Sequence, residues 1–501
     1  MKKSHAQRKY YPSLEEFKEK AKEGNLIPVY SEILADMETP VSAYKKIGKN
    51  KSSFLLESME GGEKWARYSF IGVDPAMVFK SKGTKVELTK NGFTRVIEDC
   101  AYPLDILRDI MNGFHLVEVE GLPRFFGGAV GYLSYDMVRF IEHIPDQTVD
   151  DINLFDSIFL ISETIVIFDN LRNTIKIVYN VHLDNEEKIE KLYQTAQDTI
   201  AATIALLRKP LAFPEVKSYG SEPLHITSNM NSEEFKEIVI KAKGYITAGD
   251  IIQVVLSQRF QTKLEGDPFD IYRALRLINP SPYLYYRSFD DLIIVGASPE
   301  VLVRAEGNNI ELRPIAGTRP RGKSESEDEL LQKDLLNDPK EIAEHVMLVD
   351  LGRNDVGRVS KMGSVGVPEF LLIEKYSHVM HIVSDVRGIL EEGKNNFDVL
   401  KACFPAGTVS GAPKVRAMEI IEELEQSKRG PYAGAVGYFS FSGNMDSCII
   451  IRTMLIKNGT VYFQAGAGIV ADSQPEKEFQ ETINKAKALV KALQMVKEGL
   501  E

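Results

Sequence analysis

Between Leu26 and Tyr179 the chain is written in short β-rich runs, each closed by Gly, Asn or Asp. Ser53–Leu56, Tyr68–Val73 and Thr164–Phe168 are examples. Runs this short, stopped by turn residues, fold as strands of sheets rather than as helices of several turns. A charged, periodic stretch follows at about Asn185–Arg208 and predicts a helix. Lys209–Pro223 then carries Pro210, Pro214 and Pro223 with Ser218 and Gly220, the composition of a linker. Beyond it, Asn231-Ser232-Glu233-Glu234 opens a helix as an N-cap should. Asp250–Phe260 holds a β-rich run, and Asp338–Leu351 and Gln474–Val496 predict long helices. Strands and helices alternate without a uniform βαβ spacing, and no repeat or low-complexity tract is present. The expected class is α+β (mixed α/β). A β-rich N-terminal part spans 20–180, a helix and Pro-containing linker 181–228, and a larger C-terminal part 229–493.

Charge narrows the function classes. With 61 Lys and Arg against 72 Asp and Glu, the 501 residues carry a formal charge of −11. An acidic chain without basic tracts argues against non-specific binding to nucleic acid or to an anionic membrane. An anionic ligand would therefore need local attraction from a metal, an Arg or backbone N–H groups. Cys100, Cys403 and Cys448 offer neither a disulfide framework nor a zinc spacing, which fits a reducing cytoplasm. No apolar run approaches the ~18 residues of a membrane span. The basic N-terminus leads into charged sequence, unlike a signal peptide. A soluble, cytoplasmic protein is expected.

Acidic pairs are the first chemical signal. Glu341 and Glu344 stand three apart on one predicted helix, and Glu478 and Glu481 on another. Residues at i and i+3 share a helix face, so each helix can aim two carboxylates at one point. Such a set suits Mg²⁺; a solvated helix face is the alternative, and His345 and Asn484 nearby shift the balance little. Gln464–Ile469 contains Gly466-Ala467-Gly468, where backbone N–H groups could approach an oxyanion, or where the chain simply turns. Arg452, on an apolar run read as a strand over Cys448–Leu455, either pairs internally or meets a carboxylate ligand. Glu300 follows the buried-strand signal Leu292–Val295 and is either a general acid of raised pKa or part of a helix start after Pro299. His345, His378 and His381 do not have zinc spacing. These residues alone support a Mg²⁺-dependent enzyme acting on a small carboxylate.

Taken together, the stretches resemble the chorismate-utilising enzymes, nearest to the anthranilate-forming members. The resemblance is carried by Leu55-Leu56-Glu57-Ser58, Gln253–Ser257, Asn279–Tyr283, Gly296–Glu300 and Pro314–Gly322. It continues through Glu344-His345, Asp350–Asp355, Phe404–Lys414, Gly430-Pro431-Tyr432 and Gly466–Gly468 with Glu481. It implies two β-sheet layers with flanking helices, the β-rich N-terminal part packed on a larger catalytic part. It also implies that Glu344 and Glu481 hold Mg²⁺. Tyr432, Arg452 and the backbone of Gly466, Ala467 and Gly468 would bind substrate carboxylates, with Gly317 and Thr318 lining the site. Glu300 would protonate the departing C4 hydroxyl as ammonia adds at C2; His381 and Thr408 would be further active-site residues. The implied products are anthranilate and pyruvate.

Two positions discriminate within the family. Water-activating relatives use a Lys base where this chain has Gln253, and a neutral amide cannot deprotonate water. Aminodeoxychorismate synthases place a nucleophilic Lys where this chain has Ala316, whose methyl cannot form that adduct. The pair points to anthranilate, with aminodeoxychorismate formation and a non-catalytic tryptophan sensor as the rivals. The resemblance further implies an L-tryptophan effector pocket at Ser58, Pro282, Tyr283 and Leu284; a core strand and a Pro-rich turn are the alternative. No cysteine sits in the Gly-x-Cys-x-Gly elbow of a glutaminase, so a separate glutamine amidotransferase subunit is the expected partner.

Overall fold

The computed structural model describes residues 8–48, 52–59, 67–183, 188–211, 218–376 and 379–500. Their strands form two sheets, each 12-stranded. In the first, Leu26–Leu34, Thr174–His182, Thr164–Asp169, Tyr68–Val73 and Ser52–Glu57 lie side by side. The same sheet continues into Tyr283–Phe289, Leu292–Ser298, Thr453–Lys457, Thr460–Ile469 and Gln253–Lys263. The second begins with Ile315–Pro320, Val379–Ile389, Asn309–Leu312, Val301–Glu306, Met445–Ile449 and Ala435–Ser440. Gly128–Leu133, Ser157–Ser162, Met77–Lys82, Lys85–Lys90 and Phe93–Ile97 complete its order. Each sheet thus draws strands from both sides of residues 181–228. Ser52–Glu57 pairs antiparallel with Tyr283–Phe289, and Gly128–Leu133 with Ala435–Ser440.

The strand sequences explain the layering. Thr164–Asp169 is buried along its whole length. Its Ile165 and Ile167 enter the core between the sheets, whereas Val166 and Phe168 face the opposite way. Successive side chains alternate faces, so an almost continuous apolar run marks a strand covered on both sides. Phe54, Tyr285 and Ile294 of the first sheet meet Tyr132, Ile158 and Cys448 of the second in that central core. Helices cover the outer faces. Ile189–Leu207 and Pro475–Glu498 bury Ile200, Ile204 and Leu489 against the first sheet. Pro339–Gly357 and Asn396–Cys403 place Val349, Val356, Val399 and Leu400 in the core of the second.

Local signals set the helix ends. The Asn231 side chain accepts from the N–H groups of Glu233 and Glu234, and Glu234 reaches back to Asn231 N–H. This capping box starts Ser232–Ala248, and Gly249 at φ 85° stops it. Among the described residues no helix is long and apolar enough to cross a membrane. Cys100, Cys403 and Cys448 are free thiols.

Candidate active site

The catalytic candidates stand where the chain leaves one sheet for the other. Leu292–Ser298 belongs to the first sheet and Val301–Glu306 to the second, so Pro299-Glu300 is the crossing. Met445–Ile449 and Thr453–Lys457 make the return crossing at Ile450–Arg452, where Arg452 adopts φ 49°. The run read as one strand over Cys448–Leu455 is therefore two, and Glu300 leads into a strand rather than a helix. Backbone bonds hold the crossings together: Ala297 N–H donates to Arg452 O at 3.2 Å, and Ile449 N–H to Glu300 O at 3.1 Å. Glu300 and Arg452 consequently line the same cavity of about 660 Å³. Burial pushes the Glu300 carboxyl up to about 7, with Thr408, Lys485 and Arg452 pulling the other way. Thr408 Oγ1 is itself buried without a well-formed hydrogen bond among the described residues.

Two helices bring carboxylates to this cavity. Asp338 caps Pro339–Gly357 by accepting from Lys340 and Glu341 N–H. That helix presents Glu341 and Glu344, and Pro475–Glu498 presents Glu478, Glu481 and Lys485. Burial first, and then the neighbouring Glu344, raises the pKa of Glu341; Glu478 is raised by burial, and secondarily by Glu481. Like charges side by side on one helix face are the condition a bound cation relieves. Among the described residues, no group of three or more His, Cys, Asp or Glu converges closely enough to hold a metal alone. Mg²⁺ needs one or two protein carboxylates and completes its shell with water and substrate oxygens, so the donor set fits that ion. Lys485 Nζ bridges Glu481 Oε1 at 2.7 Å and Gly466 O at 3.0 Å.

Gly466–Gly468 is not a turn but the end of the strand Thr460–Ile469, paired with Gln253–Lys263. Its hairpin to Thr453–Lys457 closes through Asn458 and Gly459, at φ 49° and 74°. A two-residue turn with both φ values positive makes Lys457 and Thr460 a hydrogen-bonded pair. Even-numbered residues from Thr460 onward therefore aim their N–H and C=O groups at that partner strand. The partner ends at Thr453, so Gly466 and Gly468 turn these groups toward the cavity. Glycine is also required by space. A Cβ on Gly466 would stand 2.7 Å from the Tyr432 hydroxyl, and one on Gly468 2.5 Å from Gln253 Nε2. Gln253 Nε2 reaches Glu344 Oε1 at 3.4 Å, which leaves Gln253 Oε1 buried without a partner among the described residues.

Most of the expected residues meet here. Gln253, Gly317, Thr318, Glu344, His381 and Thr408 line the cavity with Glu300, Tyr432, Arg452, Gly466, Gly468 and Glu481, and so does Ala316. His381 Nδ1 lies 2.9 Å from Gly317 O and 3.1 Å from Thr318 Oγ1, and burial lowers its pKa. Ala467 differs: its side chain is buried in the core on the other face of the strand. His345 also points away, to Ser384 Oγ at 2.7 Å, with burial pushing its pKa down to about 4. His378 lies outside the described residues. Ser58 lies where Met59 N–H donates to Ser281 O at 3.0 Å and Glu57 pairs with Leu284. Tyr283 hydroxyl donates to Asp446 at 2.7 Å, and Leu284 is buried in the core.

Comparison with known proteins decides the family. The model of the chorismate binding enzyme family matches residues 51–491. The chain belongs to the chorismate binding enzymes. It is 52% identical over 491 residues to "Anthranilate synthase component 1" of Acetivibrio thermocellus, covering 97% of this chain and 99% of that one. The corresponding Aquifex aeolicus protein is 51% identical over 492 residues, at 98% and 99% coverage. Among solved structures, anthranilate synthase component I from Streptococcus pneumoniae superposes with a TM-score of 0.77 at 40% identity, covering 91% of this chain and 99% of that one. The menaquinone-specific isochorismate synthase of Escherichia coli shares the fold, with a TM-score of 0.69 at 18% identity and 96% and 98% coverage. This chorismate binding enzyme is thus of the anthranilate synthase component 1 type. Its cavity also contains Lys340, Tyr376, Gln464 and Lys485, which the sequence reading did not single out. Lys485 had a usable signal: it follows Glu481 by four residues on the same helix face.

Proposed function

We propose that this chain converts chorismate and ammonia to anthranilate and pyruvate. The observation that carries the reading is Glu300, a carboxyl with a pKa of about 7, sharing one cavity with Arg452 and two carboxylate pairs. At neutral pH such a group is both protonated often enough and acidic enough to donate. Glu300 gives its proton to the C4 hydroxyl, which leaves as water while the nitrogen lone pair of ammonia adds at C2. Loss of the C2 proton and of the enolpyruvyl group as pyruvate then aromatises the ring. Arg452, Tyr432 and the Gly466 and Gly468 N–H groups orient the substrate carboxylates. The free carbonyl of Gln253 is an acceptor for an N–H of ammonia. Bound between Glu344 and Glu481, Mg²⁺ would neutralise a substrate carboxylate.

Ala316 in the cavity wall supports anthranilate over the aminodeoxychorismate product, because no amine stands at that position. The proposal includes a glutamine amidotransferase subunit as the source of ammonia, and a cytoplasmic setting in keeping with three free thiols. Feedback inhibition by L-tryptophan at Ser58, Pro282, Tyr283 and Leu284 is also proposed. It is supported by continuity, since the segment preceding Pro282 lines the catalytic cavity and Asn279 Oδ1 accepts from Arg452 at 3.4 Å. A ligand at Ser58 and Pro282 would bear on the Arg452 contact. The test is incubation with chorismate, ammonium and Mg²⁺, read by anthranilate fluorescence with and without tryptophan. Formation of the 4-amino-4-deoxy product instead would favour the folate-directed rival. Efficient use of glutamine by the isolated chain would rule out the partner.

A further inference from the structure

One wall of the cavity rests on a buried ion pair that does not itself line it. Arg429 is 4% exposed and Glu425 6%. Arg429 Nε donates to Glu425 Oε2 at 2.9 Å, and Nη2 to Oε1 at 2.6 Å, a bidentate fork. Two further N–H groups reach backbone: Nη1 to Val409 O and Nη2 to Val255 O, both at 2.7 Å. Val255 and Val409 face the cavity, and Val409 follows Thr408. The guanidinium also lies 5.6 Å from the centre of the Tyr432 ring, whose hydroxyl end abuts Gly466.

Glu425 grips the Val255 strand a second time at Ser257 and through it reaches Gln464. Glu425 Oε1 accepts from Ser257 N–H and from Ser257 Oγ, each at 2.8 Å. A serine hydroxyl has one proton, and here the carboxylate takes it. Ser257 Oγ must therefore accept from Gln464 Nε2, 2.8 Å away. This order fixes the Gln464 amide: its nitrogen faces Ser257, and its Oε1 is buried without a partner among the described residues.

We propose that the Arg429–Glu425 pair is a positioning device that sets Tyr432, Gln464 and the Thr408–Val409 turn for chorismate. The proposal rests on the cavity being the chorismate site. Arg429→Lys keeps the charge and loses the planar fork, so the KM for chorismate should rise about tenfold, the equivalent of one charge-assisted hydrogen bond, with a smaller change in kcat. Ser257→Ala, which buries no unpaired charge, should raise KM by a few fold by freeing the Gln464 amide. Arg429→Met with Glu425→Leu removes both charges together, so no unpaired charge is left buried. A merely structural pair would be dispensable in that variant, whereas positioning predicts that its raised KM persists. Wild-type KM in the folded double variant, or in both Arg429→Lys and Ser257→Ala, overturns the proposal. If Arg429→Lys fails to fold, Ser257→Ala decides. A wild-type chain that makes no anthranilate would instead defeat the functional reading.

Discussion

Replacing Glu300 by Gln should trade activity for stability, with a pH dependence that can be worked out beforehand. Burial moves the carboxyl from 4.5 to about 7. Between those values the unfolded chain has released its proton while the folded chain keeps it. Folded stability therefore falls as pH rises across that window and levels off above it. At about 1.4 kcal/mol per pH unit, the whole window is worth about 3 kcal/mol. Gln is neutral throughout and escapes this loss. The measurement is urea unfolding of both proteins at pH 5 and pH 8. Relative to wild type, Glu300→Gln should gain about 2–3 kcal/mol between the two. An unchanged difference would refute the neutral, buried carboxyl. Turnover gives the complementary result. Removing a general acid should cost about 10²–10⁴ in rate. The alkaline decline of kcat/KM near pH 7, corrected for ammonia's own ionisation, should disappear in the variant.

Gly466→Ala places a Cβ 2.7 Å from the Tyr432 hydroxyl and 2.9 Å from Leu256 O. The KM for chorismate should rise about tenfold or more, as displacement of a packed ring costs at least ~1.4 kcal/mol; an unchanged KM counts against Tyr432 as a carboxylate ligand. Full chelation of Mg²⁺ should abolish anthranilate formation and re-addition restore it, so activity surviving chelation would remove Glu344 and Glu481 from a metal role. Ser58→Arg should raise the tryptophan concentration for half-inhibition by at least about tenfold, on the scale of a filled subsite. Inhibition identical to wild type would place the effector elsewhere.

Legibility in the sequence followed the local physics. Tyr68–Val73 and the Asn231 capping box were readable because turns and caps are written in adjacent residues. The sheet crossing at Ile450–Arg452 was not, since the strands on either side are buried and apolar residues run from Cys448 to Ile451 straight into the crossing, with no Gly, Pro, Asn or Asp to mark it. Gly466 and Gly468 suggested a turn, although their glycines answer to Tyr432 and Gln253, which come from distant parts of the chain. The acidic pairs were visible as helix spacing, but their convergence on Glu300 depends on tertiary structure. The roles expected of individual residues came from family resemblance, whereas the Arg429–Glu425 network showed only as an i,i+4 charge pair, because its other partners are backbone groups and a serine.

The interleaving of the sheets has a consequence for synthesis. Ser52–Glu57 finds its neighbour Tyr283–Phe289 only after roughly 200 further residues have been made. At about 5–20 residues per second, this edge waits about 10–40 s on the ribosome with its ladder half-formed. Gly128–Leu133 waits longer still for Ala435–Ser440. An open strand edge recruits other chains, so nascent chains of this enzyme depend on shielding until the last third emerges. A fragment ending at residue 228 should accordingly aggregate rather than persist as a monomer in sedimentation, and a stable monomeric fragment would show that the first strands close without their late partners. Any regulation that arises in the first third is thus coupled to catalysis from birth, because neither half possesses a finished sheet of its own.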